Sequence, residues 1–158
     1  MINRIFIGIG SNVNREKNIL AVIDRLKEHF TEIKLSSVYE TSPVGDSEAN
    51  NYFNLVGAYE TDLSPRQAIK LLKKIEKICG QRRKNRCPMD LDLLLYNDLI
   101  DHNDEIDLPR KDIIQFAYVA VPLAEINGEQ IHPETRKTFK QHSQIADQKV
   151  WLANFEIQ

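Results

Sequence analysis

The sequence predicts an α+β fold, in which a ferredoxin-like antiparallel sheet has helices packed on one face and is followed by a C-terminal extension. The main observation is the order of the patterned segments up to residue 96, which is strand, helix, strand, strand, helix, strand. A second is size. The 158 residues, 42% of them hydrophobic, suffice for one domain, residues 1–158, whose core needs no disulfide or structural metal. We expect the opposite face of the sheet to receive a ligand or the C-terminal segment.

The first half of this pattern is a strand, a helix and a second strand. Residues 4–10 are rich in Ile and Phe and end in a Gly-Ser-Asn turn, which predicts a buried strand. Apolar residues recur at helical spacing through residues 15–30, with Asn12 or Asn14 available as the N-cap. Residues 33–39 again have a strand pattern.

A polar segment and a second helix follow. Residues 40–50 contain Pro and Gly and are too many for a tight hairpin, which indicates a functional loop. Residues 52–61 return as a strand. Ser64 and Pro65 are typical of a helix start, and we expect this helix to end at Gly80. Its predicted apolar stripe consists of Ala68, Leu71, Leu72, Ile75, Ile78 and Cys79.

The remaining segments are shorter. Residues 90–96 predict the last strand of the unit, and residues 99–100 a short returning strand after a turn. Residues 111–120 predict one or two helical turns in an apolar segment interrupted at Pro122. Residues 134–145 predict a short helix.

Composition excludes several classes of function. A formal charge of −2 and a pI near 6.1 argue against a protein that coats nucleic acid. Cys79 and Cys87 are not in a CxxC motif, and the four histidines lack metal-ligand spacing, so zinc is not expected. No signal-peptide pattern and no apolar run of membrane length is present. We expect a cytoplasmic protein with reduced thiols.

The most informative stretch is residues 82–96, where a basic cluster precedes an acidic strand. Side chains alternate along a strand, so Asp90 and Asp92 project from one face and the leucines at 91, 93 and 95 from the other. Two carboxylates about 7 Å apart can bind Mg²⁺ together with phosphate oxygens. The alternative interpretation is a solvated strand face beside an exposed basic loop. The adjacency of acids and bases favours a nucleoside triphosphate with Mg²⁺.

Other motifs are weaker. Glu76 lies at the margin of the second helix's apolar stripe, and either points toward the acid pair or stays on the surface. Gly8 and Gly10 suggest a dinucleotide loop, but Val13 holds the third glycine position and the element order is not a parallel βαβ repeat. Cys87 beside Arg86 is a candidate reactive thiol without further support.

Four segments, in order, resemble the 6-hydroxymethyl-7,8-dihydropterin pyrophosphokinases of folate synthesis. They are residues 7–12 (IGIGSN), 37–45 (SVYETSPVG), 52–54 (YFN) and 90–94 (DLDLL). The similarity extends from about residue 5 to residue 126, near the family's spacing. Each segment alone is weakly specific, whereas the four together are specific.

The resemblance implies an enzyme that moves the β,γ-pyrophosphoryl group of ATP onto the pterin hydroxymethyl oxygen and releases AMP. Two Mg²⁺ ions are expected, and the partners are these two small molecules rather than nucleic acid or a membrane. Such catalysis depends on positioning and charge neutralisation and needs no covalent nucleophile. We expect a monomer.

The resemblance also implies roles for particular residues. The expected metal ligands are Asp90 and Asp92. The expected pterin contacts are Thr41, Ser42, Pro43, Val44, Tyr52, Asn54 and Tyr118. The expected nucleotide contacts are Lys73, Glu76, Leu93, Arg110 and Lys111. The catalytic group combines the two aspartates with Arg82, Arg83, Lys84 and Arg86, and these four bases can be assigned only together. Without the resemblance, Tyr52 and Tyr118 could equally be half-buried packing residues.

This chain departs from the family pattern at four places. Cys87 stands where the family commonly has arginine, and the loop between Gly80 and Asp90 is short and lacks tryptophan. Arg110-Lys111 replace a histidine and an aromatic residue, and Phe116 replaces a residue that is frequently basic. These departures leave open a non-catalytic pterin- or nucleotide-binding homologue. A third hypothesis, an RNA-binding sheet, lacks the exposed strand aromatics that stack on bases.

Overall fold

The computed structural model describes residues 1–45 and 48–157. Its strands form where apolar and polar residues alternate or where the sequence is continuously apolar. Asp46 and Ser47 of the predicted 40–50 loop, and the last residue of the predicted domain, Gln158, lie outside the described residues. The strands are β1 (Asn3–Ser11), β2 (Thr31–Leu35), β3 (Tyr39–Thr41), β4 (Tyr52–Thr61), β5 (Asp90–Tyr96), β6 (Asp101–His102), β7 (Asp107–Leu108) and β8 (Val150–Leu152). The helices are α1 (Arg15–His29), α2 (Pro65–Cys79), α3 (Asp112–Gln115), α4 (Ala117–Asn127) and α5 (Phe139–Ile145).

The main sheet has the strand order of the predicted fold. Within the described ranges its order is β5-β1-β4-β3-β8, with β2 also paired to β4, and every pairing is antiparallel. The central pair, β1 and β4, runs in register from Asn3↔Thr61 to Ser11↔Phe53. The two strand-helix-strand units each enclose a strand of the other. The ferredoxin-like prediction is therefore confirmed.

Both faces of the sheet are covered. On one face, Ile5, Ile7 and Ile9 of β1 pack against α1 and α2 in the larger hydrophobic core. On the other, Phe6 belongs to a second core formed with the C-terminal helices, where it meets Phe139 edge to face with ring centroids 6.0 Å apart. The C-terminal segment thus takes the face that the sequence left open.

Several element boundaries differ from the sequence predictions. The predicted strand at 33–39 is two strands, β2 and β3, which pair with successive parts of β4. Residues 99–100 form no strand, and the β6–β7 hairpin follows instead. Helix α4 continues through Pro122 because Val119 and Leu123 on either side are buried in the second core.

Side-chain capping sets the starts of α2 and α5 but not that of α1. Ser64 forms a capping box with Gln67 at the start of α2, as its sequence predicts. Asn14 occupies the N-cap of α1 in a left-handed conformation, with no side-chain capping bond. Helix α5 begins only at Phe139, because Thr138 forms a second capping box with Gln141.

The apolar stripe of α2 also differs from its prediction at its end. Ile78 is 52% exposed, and Cys79 is only partly buried against the core.

Across residues 1–45 and 48–157, no helix is both long enough and apolar enough to cross a membrane.

Candidate active site

Asp90 and Asp92 lie at the start of β5, opposite Gly10 and Gly8 of β1. Both side chains face the second core and line one crevice together with Tyr118. Leu91 and Leu93 enter the larger core on the other face, as alternation requires. Leu95 does not follow them into that core, because a register shift between β1 and β5 turns it to the opposite face.

Each aspartate has a basic partner of its own. Lys73 Nζ lies 3.3 Å and Arg110 Nη1 3.9 Å from Asp92 Oδ1, and Arg82 Nη2 lies 3.6 Å from Asp90 Oδ1. Burial raises the pKa of Asp90 well above its usual range, and repulsion from Asp92 is the second largest cause. Arg82 opposes the shift. A divalent cation at this position would relieve that repulsion.

The donor set suits magnesium better than a softer metal. Two carboxylates on one strand face leave most of an octahedral coordination sphere to water and phosphate oxygens, which is how Mg²⁺ is usually bound. In the part of the chain that the structure describes, no group of three or more His, Cys, Asp and Glu side chains forms a metal cage. The residues therefore fit a metal ion that arrives with a polyphosphate.

Glu76 does not reach the acid pair but holds the outer edge of β5. Its Oε2 accepts hydrogen bonds from Leu91 N at 2.8 Å and from Lys73 Nζ at 3.1 Å. Lys73 Nζ also donates to Leu91 O at 2.8 Å. Helix α2 thus satisfies the backbone of the strand on which Asp90 and Asp92 stand. Glu76, whose side chain is 25% exposed, takes neither expected position, since it bonds the strand backbone and is neither paired with the aspartates nor free on the surface.

The first cavity has a volume of about 270 Å³ and adjoins Asp90. It brings together all seven residues expected to contact a pterin, namely Thr41, Ser42, Pro43, Val44, Tyr52, Asn54 and Tyr118. Asn54 and Thr41 are buried, and Asn54 Nδ2 donates to Thr41 Oγ1 at 2.8 Å. A concave cavity with a few fixed polar groups is typical of a small-molecule site.

The aromatic residues of the first cavity are neutral. Burial raises the pKa of Tyr52 to about 12, and burial also raises the pKa of Tyr118. The ring of Tyr118 stacks on Phe116 with centroids 5.0 Å apart. Burial raises the pKa of the neighbouring Cys87 thiol, which is 1% exposed, so it does not fit the reactive-thiol interpretation.

The structure divides the basic group. Arg82 and Lys84 line the first cavity. Arg83 and Arg86 do not, and instead pair through their backbones as the base of a tight turn, with N–O distances of 2.9 and 2.6 Å. The space near Asp90 is therefore occupied by Arg82 rather than by Arg86.

Asn12 anchors this basic loop, a function that the sequence pattern did not indicate. Its side chain donates to Asn85 O at 2.8 Å and accepts from Cys87 N at 2.6 Å, and its backbone N donates to Cys87 O at 3.0 Å. Asn12 is 2% exposed. Its position in the IGIGSN segment was the only signal available from sequence.

A second cavity of about 220 Å³ adjoins Asp92. Three of the expected nucleotide contacts, Lys73, Leu93 and Arg110, line it, whereas Glu76 and Lys111 do not. The rest of its lining comes from Ile69 and from the β6–β7 hairpin, namely Asn103, Asp104, Glu105, Ile106 and Asp107. Sequence reasoning missed the hairpin residues because it did not predict the hairpin. The acid pair thus lies between two cavities.

Comparison with protein families agrees with this geometry. A family model described as 7,8-dihydro-6-hydroxymethylpterin-pyrophosphokinase matches residues 6–128. The chain belongs to this family. The resemblance seen in the sequence is confirmed.

Individual relatives agree with this membership, and solved structures share the fold. It is 32% identical over 87% of its length to the 2-amino-4-hydroxy-6-hydroxymethyldihydropteridine pyrophosphokinase of Aquifex aeolicus, covering 88% of that protein. It is 31% identical over 94% of its length to the Haemophilus influenzae protein of the same name, covering 97% of it. The wild-type HPPK-DHPS of Plasmodium falciparum with SDX-DHP shares the fold, with a TM-score of 0.74 at 13% identity. That match covers 91% of this chain and 44% of the larger protein.

Proposed function

We propose that this chain transfers pyrophosphate from ATP to the hydroxymethyl oxygen of 6-hydroxymethyl-7,8-dihydropterin, releasing AMP, in folate biosynthesis. One observation carries the proposal: a pair of carboxylates on β5 separates two cavities, each of which also contains basic side chains. A transferase with two substrates needs this arrangement, because the reacting atoms must meet at one place.

The first cavity suits the pterin. Tyr52 and Tyr118 provide aromatic surface for a flat ring, while Asn54 and Thr41 provide fixed hydrogen-bonding groups. The polar edge of a pterin presents both donors and acceptors, which buried amide and hydroxyl groups can match. Membership of the family supports this assignment.

The second cavity suits ATP. Its apolar walls, Ile69, Leu93 and Ile106, can hold the adenine, and Lys73 and Arg110 can pair with the phosphates. We propose that Asp90 and Asp92 hold two Mg²⁺ ions between this cavity and the first. When bound, Mg²⁺ neutralises the charge of the triphosphate and fixes its orientation.

The chain's own residues then act by binding and orientation. The hydroxymethyl oxygen of the pterin, held in the first cavity, forms a bond to the β-phosphorus and loses its proton to solvent. The bond from that phosphorus to the α,β-bridging oxygen breaks, and the oxygen leaves with AMP. Arg82 and Lys84 reach the cavity from the pterin side and can stabilise negative charge on the transferred group. No covalent nucleophile is needed, which agrees with the burial of Cys87.

The position of Arg82 bears on the non-catalytic alternative. That alternative rests on the shortened loop before Asp90 and on Cys87 in place of a commonly present arginine. Arg82 lies 3.6 Å from Asp90 and lines the first cavity, so a guanidinium is available there despite the substitution. We therefore favour a catalytically active protein.

The direct test is to incubate the protein with ATP, Mg²⁺ and 6-hydroxymethyl-7,8-dihydropterin and follow the products by ³¹P NMR. We expect AMP and the pterin pyrophosphate, and no reaction when EDTA removes the metal. Release of ADP, or binding of both ligands without turnover over hours, would overturn the proposal. Light scattering on the same sample tests the expected monomer.

We also propose that the chain acts in the cytoplasm as one domain over residues 1–158. Cys79 and Cys87 are free thiols in the structure, which suits a reducing compartment.

A further inference from the structure

Arg15 occupies an unusual place for a basic residue. It is the first residue of α1, where the helix dipole disfavours a positive charge. Its side chain is only 30% exposed, and it lines neither the first nor the second cavity. The start of a helix therefore does not favour arginine at this position, and the reason for it must lie in the contacts of its side chain.

Those contacts converge on the base of one loop. Arg15 Nη1 donates to Glu40 Oε2 and to Asn51 O, both at 3.2 Å. Asn51 Nδ2 donates to the same Glu40 oxygen at 3.2 Å. The Arg15 guanidinium also lies over the Phe53 ring, 3.8 Å from its centroid. One side chain thus joins the end of β3 to the start of β4.

The loop between these strands forms one wall of the first cavity, to which it contributes Ser42, Pro43, Val44 and Ala49. The β3–β4 ladder that supports it has three residue pairs in the described ranges and ends at Thr41↔Tyr52, both of which line the cavity. So short a ladder restrains its loop weakly. Glu40 and Phe53 form the adjacent pair, and their side chains face Arg15 on the other side of the sheet.

We propose that Arg15 is a positioning residue for the pterin. From behind the sheet, Arg15 clamps both ends of residues 42–51 through its contacts with Glu40 and Asn51. This inference rests on the proposed function for the identity of the ligand. The clamp holds the two described parts of the loop, residues 42–45 and 48–51, in their binding conformation before the ligand arrives, so binding orders fewer residues. Because Arg15 touches neither Asp90 nor Asp92, we expect a substitution of Arg15 to leave the binding of metal and nucleotide unchanged.

The C-terminal segment supports the same place. Phe155 stacks on Phe53 with ring centroids 5.8 Å apart and planes within 7°. Ala153 N donates to Val38 O at 2.9 Å, next to β3. Phe53 is therefore fixed by packing, and Arg15 adds a charged contact to a rigid ring.

The test compares Arg15→Met with Lys17→Met, an exposed lysine on the same helix. Arg15→Met should weaken pterin binding about 10-fold by calorimetry with a non-hydrolysable ATP analogue and Mg²⁺, as expected when a loop must be ordered on binding. The affinity for the analogue alone and kcat at saturating pterin should change less than ~2-fold. Lys17→Met should match the wild type. Equal losses of pterin and nucleotide affinity would indicate a general structural role and overturn the proposal.

A double-mutant cycle with Glu40→Gln separates the clamp from unrelated effects. If Arg15 acts through Glu40, the double variant should bind pterin no more weakly than Arg15→Met alone, whereas additive losses would contradict the clamp. Arg15→Lys, which keeps the charge but lacks the planar fork, should recover part of the affinity.

Hydrogen exchange of the ligand-free proteins keeps the inference separate from the proposed function. Amides in residues 42–51 should exchange faster in Arg15→Met than in Lys17→Met, even if the wild type forms no AMP. Unchanged exchange would rule out the clamp, while an absence of AMP with faster exchange would remove only the pterin assignment.

Discussion

Gly10 is a position where a single methyl group would reach the first cavity. A Cβ built there would lie 2.7 Å from Asn54 Oδ1, closer than side chains normally approach. Asn54 cannot move freely, because its Nδ2 donates to Thr41 Oγ1. At Gly8, two residues earlier on the same strand, a Cβ would meet only the Leu94 side chain at an ordinary 3.4 Å.

We therefore expect Gly10→Ala to raise the KM for the pterin by about 10-fold or more, since misplacing one polar group costs ~1.4 kcal/mol or more. Gly8→Ala is the matched control and should leave the KM close to that of the wild type. Steady-state kinetics with varied pterin at saturating ATP measure both. Equal KM values for the two variants would show that Asn54 does not contact the substrate.

A substitution at Asp92 should slow the catalysed reaction itself. Asp92→Asn keeps the shape of the side chain but removes the charge that the proposed Mg²⁺ sites require, so kcat/KM should fall at least 100-fold, or ~3 kcal/mol. Mg²⁺ should also no longer strengthen binding of an ATP analogue. Asp98→Asn, in an exposed turn, is the control. An Asp92→Asn enzyme with full activity would remove the metal role.

The sequence alone predicts the positions of some of these residues but not of others. Alternation along β5 was enough to place Asp90 and Asp92 on one face, because strand geometry is local. It could not decide between Arg82 and Arg86, since that choice depends on the turn closed by Arg83 and Arg86 and on the anchor at Asn12. Arg15 gave no signal either, because its partners lie 25 to 38 residues away in the chain.

Among the elements, α2 connects stability to the site. Its inner face packs into the larger core through Ala68, Leu72 and Ile75, and its side chains at Lys73 and Glu76 bond the free edge of β5. An edge strand has unpaired backbone groups, and here a helix supplies their partners. The helix itself is held at its start by the Ser64–Gln67 capping box.

Removing that cap should therefore lower stability while leaving the chemistry intact. Ser64→Ala loses the bond from Gln67 N to Ser64 Oγ at 3.2 Å, and we expect the free energy of unfolding to fall by ~1 kcal/mol in urea titrations. Ser143→Ala removes a half-buried hydroxyl that donates to Lys140 O within α5, where the backbone keeps its own bonds, and should change it by less than ~0.5 kcal/mol. Activity of folded Ser64→Ala should stay near wild type. Equal stability of the two variants would show that this cap does not support α2.

Element predictions succeeded where local patterns are strong. The caps and the apolar periodicity gave α1 and α2 to within a residue, and the strands 52–61 and 90–96 agree with β4 and β5. The β6–β7 hairpin was missed because it depends on tertiary contacts, such as that of His102 with Glu134, 32 residues away. Pro122 does not interrupt the helix, contrary to the sequence prediction, because burial of its neighbours outweighs the lost backbone bond.

For the molecule as a whole, the second core joins the C-terminal segment to the sheet that carries the site. Phe139 of α5 is fully buried against Phe6 of β1, and α5 contacts α4. Glu125 of α4 accepts hydrogen bonds from Ser37 N, Ser37 Oγ and Tyr39 Oη near the start of β3. The C-terminal helices thus cover the sheet face that carries the first cavity, which Tyr118 of α4 lines. The sequence analysis left open whether a ligand or the C-terminal segment would cover this face.

Two buried histidines in this C-terminal segment make its stability depend on pH. His132 Nδ1 accepts from Glu134 N at 3.1 Å and from Thr135 N at 3.2 Å, so this nitrogen carries no proton. His142 Nε2 lies 2.6 Å from Thr135 Oγ1, and the two rings are 5.4 Å apart. Burial lowers the pKa of both histidines; the nearby His142 lowers that of His132 further, and Lys137 that of His142.

The sign of the effect follows from these directions. In the unfolded chain a histidine binds its proton near pH 6.5, whereas the lowered pKa of His132 and His142 means that these residues bind a proton only at lower pH in the folded protein. As the pH falls below about 6.5, the unfolded state therefore gains protons that the folded state lacks, and stability is lost. The exposed His102 has the opposite tendency, since hydrogen bonds to Asp107 and Glu134 raise its pKa. Its contribution is present below 6.5 and is lost as the pH rises through its folded pKa.

We therefore expect the free energy of unfolding, measured in urea at pH 7.0 and 5.5, to fall less in His132→Asn than in the wild type. An asparagine Oδ1 can accept from the same two backbone N–H groups, as in common Asx turns, without binding a proton. His29→Asn, at an exposed position, is the control and should keep the wild-type dependence. Other titrating groups are common to all three proteins, so their contributions cancel in the comparison. An unchanged fall in His132→Asn would mean that His132 is not among the groups whose protonation destabilises the C-terminal segment.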